Sequence, residues 1–588
     1  MLSSKISAVK FELLSALGLV LVELLCFLPI MRRVGFYLDD WATLSQLYFG
    51  PKEHGFWALA QAYGYNNSLV IIRPLEALHF ALVFWNFGLN PLPWHITNVV
   101  FECAVAILVN IVVRKLSASR AIGFFAAIFV LLCPTHDSSH YWVVCSSVTL
   151  SFVFYLGSLL STIEALKAKG KFMKAGRHFM AALLFTLSLF NYETFMPLAV
   201  LNILVAFFYN VNRGCPRLEF SARLLSILKS AVFASLPVVT SMVLPVVTLL
   251  YYLKVIVPSI STASMRSINF DMNVFLSTVL TGVELNTPLP FLRFVFSRVG
   301  EGIDGISVAE IIRLGVSICI VALIAGWYSR VERDSIKHEQ VASLENDSMK
   351  MAGLPLIFLG LFTVVVSYTI FGLCSDYPPS FVTLFNRINT GAAFGLALLF
   401  SGLLSLRSIQ SIKVEGFRQL VLLGPAIAVT AVFTLANFGL SKPWIVSWQT
   451  QKQVQNHLVP VVAGLPSNAT VLLLNCPRYV MWAPVYDGIW DFQNTARILL
   501  NRKHFSASVV SERLIVDRNA VRDVSRGTEC GAFTFSTLYL LEAPSCIAMP
   551  AQNAERFVNL VEQKGMQFGL QKQALEKWRA SANNPISK

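Results

Sequence analysis

Apolar runs of bilayer length recur along this chain and constrain its fold more than any other feature. A membrane span needs about 20 mainly apolar residues, and Lys and Arg of short loops stay on the cytoplasmic side. Eleven runs qualify, near 11–30, 94–113, 121–134, 142–161, 179–192, 195–211, 229–253, 308–327, 352–372, 390–406 and 419–438. The third and fifth are short and draw on their flanks. The stretch 73–87 is left out because it is too short and carries Arg73, Glu76 and His79 near one end. It suits an interfacial or re-entrant helix. The first run has no convincing cleavage site and reads as a retained span.

Charge sets the orientation. With Lys5 and Lys10 inside, the cytoplasmic connections collect Arg114, Lys115 and Arg120, then Lys167, Lys169, Lys171, Lys174 and Arg177. Arg213, Arg217 and Arg223 follow, then Arg330, Arg333, Lys337 and Lys350, and last Arg407, Lys413 and Arg418. Counting 73–87 as a span would invert everything after it. The composition agrees: 14% of residues are charged and 55% hydrophobic, against roughly 25% charged in a soluble domain. The net charge of +14 then reflects orientation and contact with anionic membrane lipids, and nucleic acid is not an expected partner. Ten cysteines show no CxxC pair, and no disulfide is indicated.

The expected fold is a polytopic α-helical membrane domain over 1–440 and an extracytoplasmic α/β domain over 441–588. In the latter, Val471 to Leu474 reads as a buried strand, Phe533 to Leu541 as an alternating one, and Ala551 to Leu570 as an amphipathic helix. External loops cover 31–93 and 254–307; the second mixes Lys254, Arg266, Asp271, Arg293 and Arg298 with apolar residues, as surface-lying helices do. Asn66-Asn67-Ser68 and Asn468-Ala469-Thr470 are formal glycosylation sequons on that side.

Chemistry-bearing residues concentrate on the external side. Asp39 and Asp40 follow the first span beside Arg32, Arg33 and Tyr37. A carboxylate at the membrane boundary can serve as a general base or hold a divalent cation, and an ordinary polar helix end is the bland alternative. Arg73, Lys254, Arg293, Arg298 and Arg387 are cations in apolar surroundings, suited to phosphate oxygens or to headgroup contact. Glu193, between two spans, is costly unless paired or functional. His79, His95, His136, Asp137 and His140 are read as lining a polar cleft. A zinc site at 136–140 is not expected, because no third imidazole or thiolate lies near in sequence. Asp376, Asn386, Arg387 and Asn389 form a last external polar patch. The chain has no GxxxxGK[ST] loop, no GxGxxG and no GxSxG elbow, so a nucleotide-driven reaction is not expected.

Asp39-Asp40-Trp41 after a first span, Arg73-Pro74-Leu75, and Phe87-Gly88-Leu89-Asn90-Pro91 with His95 and Asn98 resemble the GT-C glycosyltransferases. The nearest subset comprises protein O-mannosyltransferases, their TMTC-like relatives and bacterial relatives. Cys133-Pro134, Glu193 with Pro197, and Asn386-Arg387 fit the same layout, which covers about 1–400, with motif detail only over 37–98. The resemblance implies inverting transfer of a sugar from a polyprenyl-phosphate donor to the hydroxyl of a glycan, glycolipid or protein acceptor. It makes Asp40, with Asp39 as near alternative, the general base, and gives Arg73 and Arg387 the donor phosphate. Metal dependence stays open, because two adjacent carboxylates suit either a base or a shared divalent cation, Mg2+ or Mn2+. The 136–140 loop lacks the carboxylate-rich form of the eukaryotic relatives. The C-terminal part shows neither tetratricopeptide nor MIR-like repeats. Both departures favour a bacterial inner-membrane enzyme of cell-envelope glycans, lipopolysaccharide included, working on the periplasmic side. A lipid-linked glycan ligase or polymerase, and a transporter or flippase, are the competing readings; the second predicts internal repeats, which the sequence does not show.

Overall fold

The computed structural model describes residues 2–67, 70–214, 220–260, 270–339, 353–373, 377–382, 384–406, 415–525, 528–564 and 572–583. Arg217, Arg266, Lys350, Asp376, Arg407, Lys413 and Ser68 of the first sequon lie outside the described residues. The chain is a polytopic α-helical membrane protein with a C-terminal α/β domain. Among the described residues, nine helical segments are long and apolar enough to cross a bilayer, from Glu12–Met31 to Leu423–Ala463. The two short runs expected from sequence fall on α6 (Arg120–Leu132) and α9 (Lys171–Asn191).

Local chemistry sets the helix ends. Helix α5 (Pro91–Ser117) starts with proline at N1, and the Asn90 side chain accepts from Leu92 N at 3.2 Å. It ends at Ala118 in the left-handed region, φ 58°, and Ser119 then caps α6 by accepting from Ile122 N at 3.3 Å. The segment excluded as a span is α4 (Pro74–Phe87), only 14 residues long. The second external segment contains α13 (Met272–Leu285) and α14 (Pro288–Ile303).

Loops that the charge rule assigns to one side meet at one end of the bundle. Tyr37 Oη donates to Trp444 O at 2.7 Å, Trp142 Nε1 to Tyr37 O at 3.0 Å, and Asn389 Nδ2 to Thr135 O at 2.8 Å. At the opposite end Arg114 pairs with Glu12 at 3.0 Å and Lys115 with Glu164 at 2.5 Å. Helices α16 (Leu354–Ser367) and α18 (Thr390–Leu404) approach so closely that a Cβ on Gly360 would lie 2.4 Å from Leu399 N, and one on Gly395 2.8 Å from Val364 N. In a bilayer, where lipid competes equally for apolar faces, such backbone approach is a main source of helix association.

The domain boundary expected at 440–441 falls inside one helix, α19, which runs over Glu415–Ala463 through Pro425, Pro443 and Pro460. Polarity changes at 441, but helical backbone does not stop there. The extension carries Trp444, Trp448 and Gln451 beside the first external loop, where Trp41 Nε1 donates to Gln451 at 3.1 Å.

Beyond the extension, β1 (Thr470–Leu474) pairs in parallel with β4 (Ala507–Val509) and β8 (Leu538–Glu542), and β9 (Ile547–Pro550) lies antiparallel on the edge of β8. Val471 to Leu474 are fully buried, as a central parallel strand requires. The single strand expected over 533–541 is instead the end of β7 (Thr528–Thr534) and the start of β8, separated by a turn closed by Thr537 N to Thr534 O at 3.1 Å. A three-stranded antiparallel sheet, β5 (Leu514–Val516), β6 (Ala520–Ser525) and β7, flanks it. The amphipathic helix covers Ala554–Lys564, and an unanticipated helix covers Lys572–Asn583.

Gly395→Val should therefore part α16 from α18 and destabilise the bundle by about 1–3 kcal/mol. A lowered unfolding midpoint in detergent, with Gly315→Val unchanged because nothing lies within 4 Å of that position, is the expected result.

Candidate functional site

The first external loop divides its two aspartates. Leu38 sits at φ 45°, a costly conformation for a side-chain-bearing residue, immediately before α2 (Asp39–Tyr48). Asp40 is 2% exposed; its Oδ2 accepts from Tyr37 N and its Oδ1 from Val144 N, each at 2.8 Å. Burial pushes its carboxyl well above the usual range, opposed by those two N–H groups. Asp39, in contrast, is exposed and lines a cavity of about 140 Å3. Asp40, expected as the base, thus serves the backbone, and its neighbour faces the cavity. The two carboxyl groups thus have different surroundings.

The cavity brings together groups from five parts of the chain, among them Tyr63 of α3 (Phe56–Asn66), Arg73, Glu76 of α4, Tyr192 and Arg387. Glu193 is held by Arg73: Nε donates to Oε2 at 2.7 Å and Nη2 to Oε1 at 2.5 Å. This bidentate fork satisfies the carboxylate whose position looked costly from sequence. Arg73 Nη1 lies 3.6 Å from Glu76, and the guanidinium stacks 3.9 Å from the Tyr192 ring centroid. Burial pushes Glu76 up to about 7, against the lowering effect of Arg73. Arg387 donates to Leu384 O at 3.0 Å and lies over Trp142 at 4.9 Å and Tyr377 at 5.5 Å. Two aromatic-backed guanidiniums and an exposed carboxylate therefore share one cleft, an arrangement able to hold a phosphate beside a base.

Other expected site residues lie elsewhere. Lys254 and Arg293 are exposed and do not line this cavity, because the helices carrying them turn these positions outward. Tyr252, near Lys254, instead bonds Ile71 O at 2.8 Å. Nor do the three histidine segments form one polar cleft. His79 Nε2 meets Ser146 Oγ at 2.9 Å, and burial brings its imidazole down to about 4. His95 Nε2 donates to Gly35 O at 3.0 Å. Asp137 accepts from Asn386 Nδ2 and, at 2.8 Å, from Trp444 Nε1, and burial raises its carboxyl to about 6. His136 and His140 line a separate, smaller cavity. Tyr63, Tyr192 and Tyr377 were not anticipated; adjacency of Tyr192 to Glu193 was the one available signal.

Two solved structures align with most of the chain. The crystal structure of ArnT from Cupriavidus metallidurans bound to undecaprenyl phosphate matches at 11% identity and TM-score 0.33, over 84% of this chain and 89% of that one. The same protein in the apo state matches at 11% identity and TM-score 0.32, over 87% and 86%. No protein-family model and no curated protein matches the chain. At these values the likeness carries no functional weight, and the chemistry rests on the residues themselves.

Asp40→Ala should leave the N–H groups of Tyr37 and Val144 without their acceptor, at about 1–3 kcal/mol each. Its unfolding midpoint in detergent should fall by several degrees, whereas Asp39→Asn should leave the midpoint unchanged.

Proposed function

We propose that this protein is an inverting membrane glycosyltransferase that moves a sugar from a polyprenyl-phosphate carrier to an acceptor hydroxyl on the outer side of the membrane. The observation that carries the reading is the placement of Asp39, Arg73 and Arg387 around one cavity. It joins the loop motif to the two arginines that the resemblance assigns to the donor phosphate. Arg73 and Arg387 would bind the phosphodiester, each braced by an aromatic ring. Glu193 holds Arg73 by Nε and Nη2, which turns Nη1 toward Glu76 and the cavity wall.

In the step, Asp39 takes the acceptor hydroxyl proton as the acceptor oxygen bonds to C1 and the C1–O bond to phosphate breaks. The leaving group departs as the polyprenyl phosphate anion, so a strong general acid is unnecessary. The two guanidiniums meet the developing negative charge. Asp39 is favoured over Asp40 because a base must reach its substrate.

The test is transfer by detergent-solubilised protein from radiolabelled polyprenyl-phosphate sugars to membrane glycolipid extracts. Asp39→Asn should lower turnover by about 100-fold or more with donor binding retained. Arg387→Ala should weaken donor binding. Full turnover in Asp39→Asn would overturn the base assignment, and transfer only from diphosphate-linked donors would replace the reading with a ligase. A pH dependence follows from Glu76. Below about pH 7 it takes up a proton and removes one negative charge beside Arg73, while a phosphodiester keeps its own charge. Donor binding should therefore tighten, by up to about tenfold, between about pH 8 and about pH 6. Glu76→Gln should flatten that dependence in a direct binding titration.

A further inference from the structure

A second cluster of ionisable groups lies away from the Arg73 cavity. Glu23 of α1 (Leu2–Met31), Glu102 of α5 and His140 of α7 (Ser138–Tyr141) offer donor atoms that all lie within 4.8 Å of one another. All three are buried: Glu23 is 0% exposed, Glu102 6% and His140 2%. Glu102 Oε1 is 2.8 Å from His140 Nδ1 and accepts from Asn98 Nδ2 at 3.1 Å. The Glu23 and Glu102 carboxyl groups lie within hydrogen-bond reach of each other, and no N–H or alcohol hydroxyl donates to either Glu23 oxygen. Among the described residues no Lys or Arg forms an ion pair with either glutamate.

Two carboxyl groups facing each other inside a helix bundle cannot both stay ionised without a proton or a cation between them. We propose that Glu23, Glu102 and His140 bind one divalent transition-metal ion of the zinc class. The charges close: two carboxylates balance the dication, and the imidazole coordinates in its neutral form. Carboxylate oxygens and an imidazole nitrogen are all ligand types that zinc accepts, at about 2 Å, and binding would draw the three side chains together. The ligands are already positioned. Phe27, one turn after Glu23, stacks on the His140 ring at a centroid distance of 4.4 Å and 18° between planes. Asn98 steadies both Glu102 and Ser139 O, the latter at 2.6 Å, as outer-shell partners of a metal site do. A cavity of about 20 Å3, lined by Glu102, His136 and His140, adjoins the cluster. It has room for about one water molecule to complete the coordination. The ion would fasten the 133–145 segment to α1 and α5, and that segment supplies Asp137 and the Val144 N–H that holds Asp40.

The test uses the full-length protein purified in detergent without chelator. Elemental analysis after dialysis should find about one zinc-class ion per chain. Glu23→Gln with Glu102→Gln should reduce retained metal by more than about tenfold. Chelator-stripped wild-type protein should gain several degrees of thermal stability on adding Zn2+ and develop visible absorption on adding Co2+. If the double variant does not accumulate, the Co2+ and Zn2+ titrations of the stripped wild type decide the matter. Metal-free protein that shows neither response, or a double variant that retains its metal, would overturn the site and leave a shared proton as the bond between the carboxylates.

Discussion

The external face of this protein is organised around the Asp40 carboxylate. By accepting from Tyr37 N and Val144 N it ties the end of the first span to the turn before α8 (Ser146–Lys167). That tie holds Leu38 in a conformation its side chain disfavours. With Asp40 turned inward, the residue before it on α2 projects about 100° around the helix, and Asp39 reaches the cavity. Tyr37 extends the same knot, bonding Trp444 O through its hydroxyl while its carbonyl accepts from Trp142.

Around that knot the polar groups sort by solvation. A bundle interior gives an ionised side chain few partners, so each one that survives there is paired or faces a cavity. Arg73 and Glu193 satisfy each other through a fork and keep one edge of the guanidinium toward Glu76. Arg387 relies on a backbone carbonyl and on the faces of Trp142 and Tyr377. Aromatic faces attract a cation without consuming its N–H groups, which leaves donors for an anionic substrate. Glu23 breaks this pattern, and it is there that the proposed cation would sit.

The C-terminal domain is continuous with the last span. Because α19 continues through the expected boundary, the last span and the support of the α/β domain are one rod. Ser447 Oγ on this rod donates to Pro484 O, and Ile498 packs into the cluster with Phe36, Trp41 and Trp94 beneath the first external loop. The domain thus stands over the end of the bundle that carries the site.

The apolar spans, and the shortness of α4, were legible in the sequence, because apolar length is a local quantity. So were the β1 strand, Asp39, Arg73 and Arg387 of the cavity, and the Glu193 that holds Arg73. Their partnerships were not. Arg73 and Glu193 are 120 positions apart, and Asp137 and Asn386 are 249 apart; spacing along the chain carries no trace of such contacts. That Asp40 rather than Asp39 turns inward depends on backbone partners at Tyr37 and Val144, the second 104 positions away. The acids that complete the histidine cluster come from α1 and α5, and only helix packing brings Glu23 and Glu102 to His140. Sequence determined which groups are available and which lie in loops between apolar runs. Tertiary structure decided which are consumed by pairing and which remain for chemistry, because burial makes every unpaired charge costly and only packing supplies the partners.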